Sequence, residues 1–181
     1  MASPSPSGAA SAGPADAVAT APAVEGWFTT GDEPALLGSR CRACGTVFFP
    51  RETAFCRNPG CTGEDFDEVP LSRRGTVWSY TDARYQPPPP YIPASDPFEP
   101  FALAAVELAD EGLVVLGQVA SGYSVDDLHV GAPVEVVVEP LYTDDGGTAR
   151  TIWRWRPIGP EGGQAGGGPS GDSAAGGEAP A

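Results

Sequence analysis

The chain has 181 residues, including 24 glycines and 21 prolines; its ten basic residues are all arginine, and its formal charge is −14. Such an acidic balance argues against general nucleic-acid binding, which needs clustered basic side chains to neutralise phosphates. No run reaches the roughly 18 apolar residues of a membrane-spanning helix, and no basic residue precedes Arg40, so no export signal is read and a cytoplasmic protein is expected.

Residues 1–25 and 159–181 consist mostly of Ala, Ser, Gly and Pro. They hold too few large apolar side chains to offset the entropy lost on ordering, so both are expected to be disordered tails. Leaving out their acidic residues still sets 19 acids against ten arginines, so the acidity belongs to the ordered part as well. The roughly 130 residues between them suffice for one domain or two small units sharing a core.

In residues 26–70, Trp27, Phe28 and Pro34 to Leu37 form a short amphipathic stretch from which one or two helical turns are expected. Four cysteines follow: Cys41 and Cys44 as C-x2-C, then eleven residues, then Cys56 and Cys61 as C-x4-C. Gly45 beside the first pair and Asn58, Pro59 and Gly60 within the second supply the backbone freedom that sharp ligand-bearing turns need. Four thiolates at these spacings can converge on one tetrahedral Zn²⁺, with Zn–S bonds of about 2.3 Å. The alternative is two disulfides or four separate thiols, but a disulfide framework belongs to secreted chains. Ligand type does not separate zinc from iron. The C-x4-C loop does depart from the paired C-x2-C loops of rubredoxin, which disfavours an electron carrier. With all four positions filled by protein, such an ion has no open place for substrate and is structural.

Around the cysteines, Arg40, Arg42, Arg51 and Arg57 face a single acid, Glu52. Either they offset the charge of a metal tetrathiolate or they form a local anion site. Asp65, Asp67 and Glu68 lack the loop pattern of a Ca²⁺ site and read as a solvated linker. A unit this small cannot bury a core of its own, so Phe48, Phe49 and Phe55 are expected to pack on the rest of the chain.

Residues 71–158 read as β. Thr76–Thr81, Phe101–Leu108, Leu113–Ala120, Pro133–Glu139 and Thr151–Arg156 are rich in β-branched and aromatic residues, and Ala109–Gly112 makes a hairpin connection. One short helix is expected over Ser124–Leu128, capped by Ser124. Five strands with a small helix before the fourth predict an OB-fold barrel, with a sandwich or SH3-like barrel as alternatives. Trp153 and Trp155 share one strand face and Arg154 and Arg156 the other. That is either core and solvated rim, or an aromatic platform for single-stranded nucleic acid. Pro87–Pro90 predicts a stiff segment in a long loop ending near Pro100, where Tyr85, Tyr91, Ile92 and Phe98 would be exposed unless a partner covers them.

Catalytic groups are scarce. His129 is the lone histidine, and a nucleophilic site would need a Ser, Thr or Cys positioned against it. Asp126 and Asp127 are adjacent, so they point apart and favour the N-terminus of the short helix rather than acting as a pair.

The segments WFTTGDEPALLGSRC, CRACGTVFFPR, CRNPGC, GTVWSYT, FALAAVELADEGLVVLGQV and VGAPVEVVVE occur in this order between Trp27 and Pro157. In order and spacing they resemble a family long described as a domain of unknown function: a rubredoxin-like zinc ribbon joined to an OB-fold, found beside thiolase-like acyl-CoA enzymes of lipid metabolism. The resemblance implies a mainly β chain with a ribbon over 26–70 and a five-stranded OB-fold over 71–158. It also implies a non-catalytic accessory subunit, whose partner is a thiolase-superfamily or sterol-carrier-type thiolase or aldolase that holds the nucleophile and works on C–C bonds of acyl-CoA esters. On that reading Zn²⁺ is structural. Arg42, Arg51 and Arg57, whose guanidinium forks suit phosphate, and Tyr85 and Tyr91 are candidate contacts to acyl-CoA or the partner. An OB-fold interaction module for nucleic acid or protein is the alternative.

Overall fold

A computed structural model describes residues 19–159 apart from Pro90, Ile92 and Ala94. Most of both predicted tails therefore lies outside the described residues, as does Ile92 of the long loop. Among the described residues nine strands run in chain order: β1 Thr20–Pro22, β2 Leu37–Cys41, β3 Val47–Phe48, β4 Phe66–Pro70, β5 Arg74–Ala83, β6 Phe101–Leu108, β7 Leu113–Gln118, β8 Pro133–Thr143 and β9 Ala149–Pro157. They form a six-stranded sheet in the order β1-β9-β8-β5-β6-β7 and a three-stranded sheet in the order β3-β2-β4. The chain is mainly β. No helix among the described residues is long and apolar enough to cross a membrane.

All five predicted barrel strands are present. In β6 burial alternates with period two: Ala102, Ala104, Val106 and Leu108 point into the core. Val134 and Val136 of β8 and Trp153 and Trp155 of β9 join them there. Beyond β7, Val119 bridges Trp155 in parallel and the Ala120 N–H donates to the Trp155 carbonyl at 2.8 Å, which closes the five strands into an OB-type barrel. The closure needs a glycine. A Cβ on Gly117 of β7 would sit 2.4 Å from the Trp153 ring, so only a bare Cα leaves room for both tryptophans. The hairpin joining β6 to β7 turns at Gly112, with φ of +65°. The predicted short helix is a single 3-10 turn, Val125–Asp127, where the Ser124 hydroxyl accepts from the Asp126 N–H and the Asp127 carboxylate accepts from the Ser124 N–H.

Three expectations are corrected. No helix forms near Trp27. The chain doubles back, with a bridge between Phe28 and Leu36 and the Leu37 N–H donating to the Trp27 carbonyl at 2.8 Å. Gly31, at φ of +125°, and Pro34 break any helical turn between them, and the reversal buries Phe28 and Leu36 together. The acidic linker is β4, paired with β2 across Leu37–Pro70 and Cys41–Phe66. Finally, Thr20–Pro22, inside the predicted tail, is an edge strand parallel to β9. Backbone hydrogen bonds hold it, and these need no apolar side chains.

Candidate metal centre

The ribbon delivers its cysteines from two knuckles. Cys41 ends β2 and is fixed by the sheet. Its carbonyl accepts from the Gly45 N–H at 2.8 Å and its own N–H donates to the Thr46 carbonyl at 2.9 Å, with Gly45 at φ of +77°, so Cys44 swings back toward it. In the second knuckle the Cys56 N–H donates to Gly63 and the Cys61 N–H to Asn58. All four Sγ atoms lie within 4.8 Å of one another, with Cys41–Cys61 at 3.8 Å and Cys44–Cys56 at 3.6 Å. A tetrahedron with metal–sulfur bonds of about 2.3 Å has edges of about 3.8 Å, whereas a disulfide needs about 2.05 Å. The geometry is that of a tetrathiolate metal site.

Close packing and directed N–H groups support the sulfurs. A Cβ on Gly63 would meet Cys41 Sγ at 3.0 Å, and the Gly63 N–H donates to Cys61 Sγ at 3.3 Å. The Thr46 hydroxyl, 3.2 Å from Cys44 Sγ, and the Thr46 N–H favour the Cys44 thiolate, holding its pKa at about 6. Burial pushes Cys56 up to about 12. A bound cation is what brings such unlike thiols to the same ionised state.

The candidate arginines are already engaged within the ribbon. Arg42 donates to Asp67 through Nε at 2.9 Å and Nη2 at 2.6 Å, Arg51 pairs with Glu68, and Arg57 pairs with Glu52. Glu52 is buried, and its carboxylate also accepts from the Thr53 and Ala54 N–H groups; the backbone donors first, then Arg57, hold its pKa below the usual range. Glu52 was legible as the acid among these arginines, whereas Asp67 and Glu68 were missed as partners because they sit in the strand read as linker.

Residues 30–67 match the family described as "ChsH2, rubredoxin-like zinc ribbon domain", and residues 68–139 match "ChsH2, C-terminal OB-fold domain". The chain belongs to this ChsH2-type ribbon and OB-fold family. It is 31% identical over 140 residues to a "DUF35 domain-containing scaffold protein" of Methanocaldococcus jannaschii, covering 75% of this chain and 90% of the relative. It is 36% identical over 111 residues to "Benzoylsuccinyl-CoA thiolase subunit BbsA" of Geobacter metallireducens, covering 61% of this chain and 66% of the relative. Among solved structures, a chain of the "Ltp2-ChsH2(DUF35) aldolase" superposes with a TM-score of 0.50 and 28% identity, covering 68% of this chain and 84% of that one.

In this ChsH2-type chain the other singled-out residues are dispersed. Trp153 and Trp155 are buried core, which removes the aromatic platform on which the nucleic-acid reading rested. Arg154, expected on a solvated rim, is buried, donating to Ser121 Oγ at 3.0 Å and lying 3.4 Å from Glu139; Arg156 is exposed and pairs with Glu135. Tyr91 stacks on Phe101 at 6.1 Å and Phe98 packs edge-on to it at 5.9 Å, so the chain itself partly covers these rings. Tyr85 is exposed. Phe49 packs between Trp27 and Trp153, as expected of a ribbon residue leaning on the rest of the chain, whereas Phe48 packs against Phe66 within the ribbon's own sheet and Phe55 projects into solvent. His129 lies exposed in the turn before β8.

Proposed function

We propose that this chain is a non-catalytic accessory subunit of a thiolase-superfamily enzyme, a thiolase or an aldolase, acting on acyl-CoA esters. It docks on the catalytic chain and shapes the acyl-CoA entrance. The observation that carries the reading is the match to relatives named as a scaffold protein, a thiolase subunit and an aldolase complex, over both the ribbon and the barrel. The site chemistry supports it: four thiolates satisfy a tetrahedral Zn²⁺ completely and leave no coordination place for a reacting group. When bound, the ion supplies folding energy by tying the end of β2 to the second knuckle. The chain's one histidine is exposed on the turn before β8 and does not belong to the cysteine cluster.

Arg42, Arg51, Arg57, Tyr85 and Tyr91 are proposed contacts to acyl-CoA or the partner. Arg42 and its partner Asp67 are both largely exposed, so a phosphate can replace that carboxylate at small cost, whereas Arg57 would have to keep its buried partner Glu52 and offer its exposed side to the phosphate. Co-expression with the thiolase-like chain of the same genome tests the reading. A stable complex on gel filtration is expected, and two chains that elute separately at micromolar concentration would overturn it.

A further inference from the structure

We propose that the outer face of β5, β6 and β7, ending at the open edge of β7, is the surface that seats the thiolase-like catalytic chain. The inference rests on the accessory-subunit reading and adds to it the face that makes the contact.

The cross-strand register fixes which side chains share this face. Val77, Val106 and Val115 form one inward row. The neighbouring outward rows set Ala105 opposite Ser79 and Leu116, and Glu107 opposite Thr76 and Val114. The outer face of a sheet packed on one side only ordinarily carries polar residues. Here Trp78 is 62% exposed, Leu116 63% and Val114 50%. The β5 register shifts between Val77 and Ser79, at Trp78 itself, and such bulges commonly re-aim a side chain.

The edge of β7 makes the same demand. β7 ends its sheet, and the bridge to β9 begins only at Val119, so among the described residues Leu113–Gln118 has no strand on its outer side. Proteins usually blunt such an edge with Lys, Pro or a bulge. β7, LVVLGQ, has no Lys or Pro, and its pairing with β6 is continuous. An apolar face around a tryptophan beside an open edge suits a strand added from a partner, with the aromatic residue as anchor.

Charge decides between a second copy and another protein. Glu107, opposite Val114, and Asp110, in the turn between β6 and β7, are exposed, and the whole chain carries −14. A second copy brings the same negative field, whereas a partner with basic residues around an apolar strip is complementary.

The test is affinity for the thiolase-like chain of the same genome, using wild type and a Val114→Lys/Leu116→Lys double variant, with hydrogen exchange on the wild-type complex. Both side chains are exposed and Lys suits an edge strand, so zinc content and Tm should stay near wild type. The double variant is expected to bind at least about tenfold more weakly, and the Leu113–Gln118 amides should become protected in the wild-type complex. If the variant misfolds, the protection pattern decides alone. A wild-type complex without protection there, or with undiminished variant affinity, overturns this face and leaves the accessory reading standing. No wild-type complex at all overturns both. Protection that appears with concentration in the chain alone assigns the face to a second copy and overturns the proposal.

Discussion

The Phe49 ring of the ribbon meets the Trp153 ring of the barrel edge-on, their centroids 6.0 Å apart at 81°, and Trp27 closes on the other side of Phe49 at 5.7 Å. Trp153 in turn packs edge-on to Trp155 at the centre of the barrel. A metal-bearing unit with little apolar surface of its own is thereby fastened to the main core. Phe49→Ala should cost about 2 kcal/mol, below the usual range for a fully buried Phe because the ring is only half-buried. Chemical denaturation followed by Trp fluorescence measures it, and the emission of Trp153 should shift toward that of a solvated indole.

Gly117→Ala should destabilise the barrel by about 1–3 kcal/mol through overpacking, since the added methyl has no path past the Trp153 ring. The midpoint of thermal unfolding reports this. Ala in place of Gly146, in the hairpin between β8 and β9, would meet only the Asp144 carboxylate at 3.2 Å and should cost less.

The five barrel strands were legible because alternation and β-branched content fall on short runs bounded by Gly and Pro. The metal site was legible because thiolate spacing is a geometric constraint. What was hidden shares one cause: local pattern and tertiary use diverge. Phe28 and Leu36 mimic helical spacing, yet the turn at Gly31 and Pro34 makes them cross-strand neighbours. FDEVP looks solvated because two of its residues are acids, yet those acids meet Arg42 and Arg51 on the neighbouring chain segments. Arg154, next to two core tryptophans, is buried by Ser121 and Glu139, which lie far from it in sequence.

Asp144 sets the acid behaviour of the hairpin between β8 and β9. Its carboxylate accepts from the Thr148 and Gly146 N–H groups at 3.0 Å each and from Arg150 Nε at 2.9 Å, and these contacts, the Thr148 N–H first, lower its pKa. A lowered folded-state pKa contributes stability that is complete above the unfolded value of about 3.9 and is lost as pH falls through the folded value. Asp144→Asn keeps an acceptor but not the charge. The stability gap between wild type and variant should therefore be constant near neutrality and close below pH of about 4, as read by urea unfolding across pH.

Purified without chelator, the protein should carry one zinc per chain on Cys41, Cys44, Cys56 and Cys61, as the sulfur geometry fits a single tetrahedral ion. Elemental analysis checks it. Cys44→Ser should lose the ion and unfold the ribbon, because in so small a unit metal affinity is folding energy.

Reconstituted turnover tests the central claim most directly. Acyl-CoA lyase or thiolase activity should be absent from this chain alone and appear, or rise at least about tenfold, when it is added to the thiolase-like chain of the same genome. Turnover by the isolated chain, abolished by His129→Ala, would contradict the account.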